Sequence, residues 1–449
     1  MKQLWIIALS LLNSCMTLNN SRTVLPTGHT LHHNGVFSKD GQWIVFDGRN
    51  DDTKIGETSI IGIVNVKTGE EKIIYKTANQ TVYGPGVGAV SFSPVDDKVI
   101  FIHGLADANA EKPYAMSRRT GVGIDINNPY RSFFYDARDI RSPYTPGSLR
   151  GGTHSHCWSG DGQLISFTYN NELVDADLRA VGVMLPCRQG VKVDAAKGNN
   201  DGIMFSSIVT NVVRNPRPGS DEINKAFDEC WVGKNGYRLN SGAHIPHAIA
   251  FQGNVLNKEG KQITEVFIVD IDSKKILADS AAVGKAGEGP RVPEGIHQRR
   301  ITFSKKGLST TRHWLRSSPD GKFIYALAKD QNEYNQLTQI EANTGEMRLL
   351  TNNNFSIDYS FNLNKEGNKI AYVAQNSVYL FDLLKGVSTK LTSNEKGKIV
   401  GAPSFSPVII YWFSISILLT ETGTIFYRFE RLVCLNKTSL GHSITKQTG

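Results

Sequence analysis

A short phrase recurs along this chain: an aromatic or apolar residue, Ser, often Pro, then Asp-Gly or a near equivalent, then an alternating apolar run. It stands as Phe37-Ser38-Lys39-Asp40-Gly41-Gln42-Trp43 and again as Phe92-Ser93-Pro94-Val95-Asp96-Asp97-Lys98. Trp158-Ser159-Gly160-Asp161-Gly162, Ser318-Pro319-Asp320-Gly321 and Asn364-Lys365-Glu366-Gly367 repeat it, with a weaker copy at Asn257-Lys258-Glu259-Gly260 and a truncated one at Phe405-Ser406-Pro407. Repetition at this scale means one supersecondary unit stacked many times. Asp-Gly supplies the positive backbone torsions of a tight turn, and the flanking runs alternate with period two, so each phrase predicts a β-hairpin. A second hairpin follows several of them, as at Ile60 to Val66, Lys67-Thr68-Gly69-Glu70, then Glu71 to Tyr75. Four strands per unit is the β-propeller blade.

With turns at Gly41, Asp97, Gly162, Gly260, Gly321, Gly367 and position 409, the chain is expected to be an all-β propeller of seven blades. Six is the alternative, because the Gly260 copy is poor. Composition agrees with a packed core: 449 residues, 40% apolar and 20% charged, exclude disordered, collagen-like and coiled-coil classes. The net charge of +8 is spread without a Lys/Arg-rich run, which gives no support to nucleic-acid binding. Five cysteines without a Cys-x-x-Cys pair exclude a disulfide scaffold or zinc ribbon. Cys157, Cys187 and Cys230 are left either as buried thiols or with one disulfide among them. No Gly-x-Ser-x-Gly elbow, phosphate-binding loop or His-Glu-x-x-His is present, so hydrolase, nucleotide-binding and zincin readings lack support.

The repeat resembles that of TolB-like propellers of bacterial envelope proteins, over about residues 29–407. Phe101-Ile102-His103-Gly104, Arg150-Gly151-Gly152-Thr153-His154-Ser155-His156, Pro218-Gly219-Ser220-Asp221-Glu222, Trp231-Val232-Gly233 and Gln298-Arg299-Arg300 resemble further an uncharacterised subfamily of these propellers, a domain of unknown function loosely labelled as Tol biopolymer-transport related. The resemblance implies architecture and location, since a fold does not imply a reaction.

The termini differ from the middle. Met1-Lys2-Gln3 followed by Leu4 to Leu12 has the form of an export signal too short to span a bilayer. Leu12-Asn13-Ser14-Cys15 resembles a lipobox, so Cys15 is the expected lipidation site, with ordinary signal cleavage nearby as the alternative. The expected domains are therefore a signal and tether at 1–22, a propeller at 23–407, and an atypical tail at 408–449. In that tail the phrase breaks into an apolar run from Val408 to Thr420, as a frameshifted end would. A last blade cut short at 407 would leave sheet edges uncovered.

Eight residues before the turn positions stand His33, His154 and His313, with Ala89, Gln252, Tyr359 and Gly401 in the other repeats. The first strand of a blade lies innermost, so equivalent positions on different blades converge on the axis. His156 shares a strand face with His154, and His32, His244 and His247 lie near other blade starts. One outcome is imidazoles bonded to neighbouring backbone or water. The other is a metal site of His33, His154, His156 and His313 holding Mn, Zn or Fe. That second arrangement resembles the axial manganese site of oligogalacturonate lyases, which implies β-elimination from a uronate with Arg150, Arg312 or Arg316 gripping the acid. The leading expectation is a non-enzymatic, exported propeller that binds an envelope protein or oligosaccharide. It is expected to be a monomer attached to the membrane only through a lipid. The metal-dependent lyase is the alternative.

Overall fold

The computed structural model describes residues 22–24, 28–49, 54–171, 175–392, 398–399, 401–407, 411–419 and 425–433; the expected lipidation site Cys15 and the expected export signal, up to residue 21, lie outside them. Among the described residues, seven antiparallel sheets follow one another along the chain, two small ribbons apart. Five of the seven have four strands in simple sequential order. The first has three named strands, with its innermost edge reduced to bridges pairing Thr30 with Asp47 and Phe37 with Ile44. This is the propeller that the repeat predicts, with seven blades.

The phrase works through local hydrogen bonds. In the first blade the Ser38 hydroxyl donates to Asp40 Oδ1 at 2.6 Å, the Gln42 N–H donates to the same oxygen at 3.0 Å, and Gly41 takes φ 68°. Ser159 with Asp161, and Ser318 with Asp320, repeat the bond at 2.6 Å in the third and fifth blades. An L side chain at the Gly position would be strained, which is why the turn is written with Gly. Between blades the alternating residues interlock: Val181, Val183 and Leu164 of the third blade pack with Ile249, Phe251 and Phe267 of the fourth.

Blade four departs from the expected register. Its innermost strand is Ala226–Trp231, followed by Ala248–Leu256 and Gln262–Asp270. Gly260 therefore turns between the second and third strands, and the inner hairpin passes through Gly233 and Gly236, both at positive φ. A ribbon pairing Tyr237–Arg238 with His244–Ile245 is inserted in that hairpin and hides the phrase. Gln252 accordingly belongs to a second strand and is not equivalent to His154.

The seventh sheet does not stop at 407. Lys398–Ile399 and Ser404–Phe405 both pair with Tyr411–Leu419, which pairs with Ile425–Val433, and Arg22–Val24 adds the outermost strand. The tail supplies two strands and the N-terminal segment a third, so the ring is closed by joining the two ends of the chain. Phe413-Ser414-Ile415-Ser416-Ile417 and Tyr427-Arg428-Phe429-Glu430 alternate with the period of a strand, although the Asp-Gly phrase is missing.

Candidate functional site

In an antiparallel blade the start of the innermost strand, the end of the second and the start of the third lie at one end of the axis; the first hairpin lies at the other. We call these the leading end and the hairpin end. In blades two, three and four the innermost strand carries the same irregularity: Ala89, Ser155 and Asp228 take φ of 53°, 56° and 50°, and the ladder slips there by a bulge. Bulges re-aim side chains beside functional sites. They also fix the true register, in which His156 matches Val90 and Glu229, and Cys157 matches Ser91 and Cys230.

The expected histidines separate. His313 is tied within its own blade: Nδ1 lies 2.6 Å from the Thr311 carbonyl, and Nε2 accepts the Leu327 N–H at 3.0 Å. His154 bonds to the Thr168 hydroxyl and, at 3.0 Å, to Asn170 Oδ1. His33 does reach the axis, stacked on Trp314 at 3.9 Å with Nε2 3.5 Å from Cys157 Sγ. His156 Nε2 meets the Thr153 hydroxyl at 3.1 Å, whereas its Nδ1 and His32 Nε2 have no hydrogen-bond partner. Burial pushes all five well down, His32 and His156 to about 3 and His313 to about 4, so they are neutral. His244 and His247 bond elsewhere, to the Asn235 carbonyl and to Asp161.

These donors do not fit a shared metal. Both nitrogens of His154 and of His313 are engaged, and among the described residues no three His, Cys, Asp or Glu come together as a ligand set. Shared register puts backbone positions at matching places in the blades, but side-chain direction decides which imidazoles point to the axis.

The arginines also divide. Arg150 is buried, packs over the Tyr144 ring at 4.0 Å and donates from one nitrogen to the Val283 and Glu288 carbonyls. It fastens a loop of the neighbouring blade. Arg316 is buried in the middle of the channel, donating to Asn362 Oδ1 at 2.8 Å and to the His33 carbonyl at 2.7 Å. Arg312 alone of the three belongs to a cluster at the leading end, over the Trp314 ring at 4.4 Å.

That cluster is what the sequence did not reveal. Arg49 follows the second strand of blade one, Arg119 begins the third strand of blade two, and Arg179 lies near the start of the third strand of blade three. Lys225 immediately precedes the innermost strand of blade four, and Arg312 stands four residues before that of blade five. Five blades thus each send one cation to the same end. Their fields overlap: burial lowers the pKa of Arg119, with Arg49 and Arg312 adding to it, and burial lowers those of Arg179 and Lys225, each lowered further by Arg312. Against them stand Asp47, which holds Arg49 through two bonds of 2.6 and 2.8 Å, and Asp228. Burial raises Asp228 to about 6 while Arg312, Arg179 and Lys225 pull it back. Beside it, burial raises Glu229 to about 8, keeping it mostly protonated near neutral pH. Among the described residues, the carboxylates tied most closely to these five cations are Asp47 and Asp228, fewer than the cations they face, which favours an anionic guest. No phrase marks these positions, because they follow second strands, open third strands or precede innermost ones, beside loops of variable length.

The three core cysteines are free thiols, with Cys157 and Cys230 buried and their pKa raised by burial. Residues 86–200 match the family described as "Protein of unknown function (DUF3748)". The "Uncharacterized protein YidR" of Escherichia coli (strain K12) is 34% identical over 402 residues, which cover 86% of this chain and 91% of that protein. Among solved structures, an oligogalacturonate lyase in complex with manganese superposes with a TM-score of 0.54 at 12% identity, covering 92% of this chain and 96% of that one. TolB from Acinetobacter baumannii gives a TM-score of 0.38 at 13% identity, covering 87% and 80%. At such identity the lyase likeness concerns the fold alone.

Proposed function

As the chain belongs to the family of Escherichia coli YidR and has a TolB-like propeller fold, we propose that it is an exported, non-catalytic propeller whose leading end binds an anionic group on a protein or glycan of the cell envelope. The observation that carries this reading is the convergence of Arg49, Arg119, Arg179, Lys225 and Arg312 from five successive blades. Guanidinium groups suit carboxylates because their planar fork donates two parallel bonds. A site assembled at partly buried positions also binds more strongly than the same charges in water would, because it is screened less.

The export segment at 1–22 and lipidation at Cys15 belong to the same proposal. They would place the propeller in the periplasm or, through one lipid plus a second contact, at a membrane surface. The metal-dependent lyase has no supporting ligand set among the described residues.

The test is calorimetric titration with trigalacturonate, with a peptide rich in Asp and Glu, and with a neutral trisaccharide, for the native chain and for Arg119→Glu and Arg312→Glu. One acidic probe is expected to bind, more weakly at high salt, and each reversal to weaken it at least about tenfold, or 1.4 kcal/mol. Binding of the neutral sugar with equal affinity, or acidic binding untouched by both reversals, would remove the proposal. Ultraviolet detection of an unsaturated product from trigalacturonate would replace it with catalysis.

A further inference from the structure

The opposite end of the axis holds a cavity of about 420 Å³, in the range of about 300–1,000 Å³ typical of small-ligand sites. Its walls come from the phrase itself: Phe37 of blade one, Phe92 of blade two, Trp158 of blade three, Leu363 of blade six and Phe405 of blade seven. The only charged side chains lining it among the described residues are Lys39, Lys234 and Lys365, all exposed. Lys39 is paired with Asp97 at 3.1 Å, whereas Lys234 and Lys365 have no ion-pair partner among the described residues. No carboxylate among the described residues lines the space. At the inner limit lies His156, fully buried, whose Nδ1 has no hydrogen-bond partner; the indole N–H of Trp158 is likewise unpartnered.

We propose that this hairpin-end cavity is a second binding site, distinct from the cation cluster, for a carboxylate carried on an aromatic or branched apolar body. The apolar body leaves water against Phe37, Phe92, Trp158 and Phe405, which stabilises binding in proportion to the area covered. The carboxylate stays at the rim, where Lys234 and Lys365 meet it without either partner losing its hydration completely. A carboxylate deeper in the channel would face neutral His156 and pay full desolvation, so orientation is fixed by the contrast between a charged rim and an uncharged interior. A free small acid and the C-terminal end of a peptide share this chemistry.

The experiment uses the full chain and four probes: 3-phenylpropionate, its amide, and the tripeptide acetyl-Gly-Gly-Phe with a free and with an amidated C-terminus. Binding is read by calorimetry and by the change in indole fluorescence, which Trp158→Phe should abolish. A free carboxylate is expected to bind one per chain and at least tenfold more tightly than its amide. The double reversal Lys234→Glu with Lys365→Glu should weaken it at least tenfold while the melting temperature stays unchanged, since both side chains are exposed. Arg119→Glu at the leading end should leave this binding unaffected, which separates failure here from failure of the first site. Tighter binding of the free tripeptide identifies a chain end as the source; tighter binding of 3-phenylpropionate identifies a small acid. No saturable binding of any free carboxylate, or equal binding of acid and amide, overturns the proposal.

Discussion

Arg150 offers a sharp test, because a gripping residue and a fastening residue fail differently. Its guanidinium is 1% exposed and donates to the Val283 carbonyl at 2.8 Å and the Glu288 carbonyl at 2.6 Å. Arg150→Met keeps the aliphatic stem but leaves both carbonyls unanswered. Each hydrogen bond from a charged donor contributes about 1.5–3 kcal/mol. The face contact with Tyr144 at 4.0 Å adds about 0.5–2 kcal/mol. Offsetting this, the variant no longer buries a cation whose Nε and second terminal nitrogen lack partners. A net loss of about 3 kcal/mol is expected. With an unfolding entropy of about 2.1 cal/mol/K per residue over roughly 400 residues, that lowers the melting temperature by about 3–4 °C. Limited proteolysis should open the segment around Val283 to Glu288, while the affinity for acidic probes stays within about twofold. Gly284→Ala should reproduce the loosening, since its added Cβ would sit 2.9 Å from the Arg150 guanidinium at a φ of 82°. An Arg150→Met protein that melts like the native chain but no longer binds acidic probes would refute the fastening role and restore Arg150 to the ligand.

Two pH responses follow from burial. Glu229 ionises in the unfolded chain near its ordinary 4.5 but only near 8 in the fold, so the stability from its protonated form is complete below 4.5 and lost as pH rises towards 8. Glu229→Gln should therefore melt about like the native chain near pH 4.5 and be more stable at pH 8.5, by about 3–5 kcal/mol; an equal difference at both values would sink this reasoning. The five buried imidazoles act in the opposite direction. Neutral in the fold, they take up protons on unfolding below pH 6.5, so denaturant midpoints should fall as pH drops from 6.5 towards 4, with each His contributing about 1.4 kcal/mol per pH unit. His156→Gln should reduce that slope by about one proton, and an unchanged slope would mean that the imidazole is charged in the native state.

The propeller was legible because its defining signal is local. The Ser-to-Asp bond and the positive φ of Gly41, Gly162 and Gly321 involve residues within five positions of one another, so their chemistry is written in the phrase. Legibility ended where local signals were interrupted. The ribbon at Tyr237–Arg238 and His244–Ile245 displaced the inner turn of blade four and made Gly260 look equivalent to Gly162. A closer match was present in Trp231-Val232-Gly233-Lys234-Asn235-Gly236, with Asn-Gly in place of Asp-Gly. The tail lost the phrase but kept strand alternation, and backbone pairing needs only the latter.

Sequence by itself therefore determined the unit, narrowed the number of units to seven or six, and implied the approach of the innermost strands to a common axis. It did not determine which side chains meet there. His33 reaches the axis while His313, in the same register, turns into its own blade towards the Leu327 N–H. The five cations of the leading end stand between 49 and 312 in the chain with no common motif, and the closing strand joins Arg22–Val24 to Ile425–Val433. Turn torsions and hydrogen bonds act over a few residues and leave a mark in local sequence. Coulombic fields and sheet edges act across whatever the fold brings near, so the charge at the mouth and the closure of the ring belong to the tertiary structure.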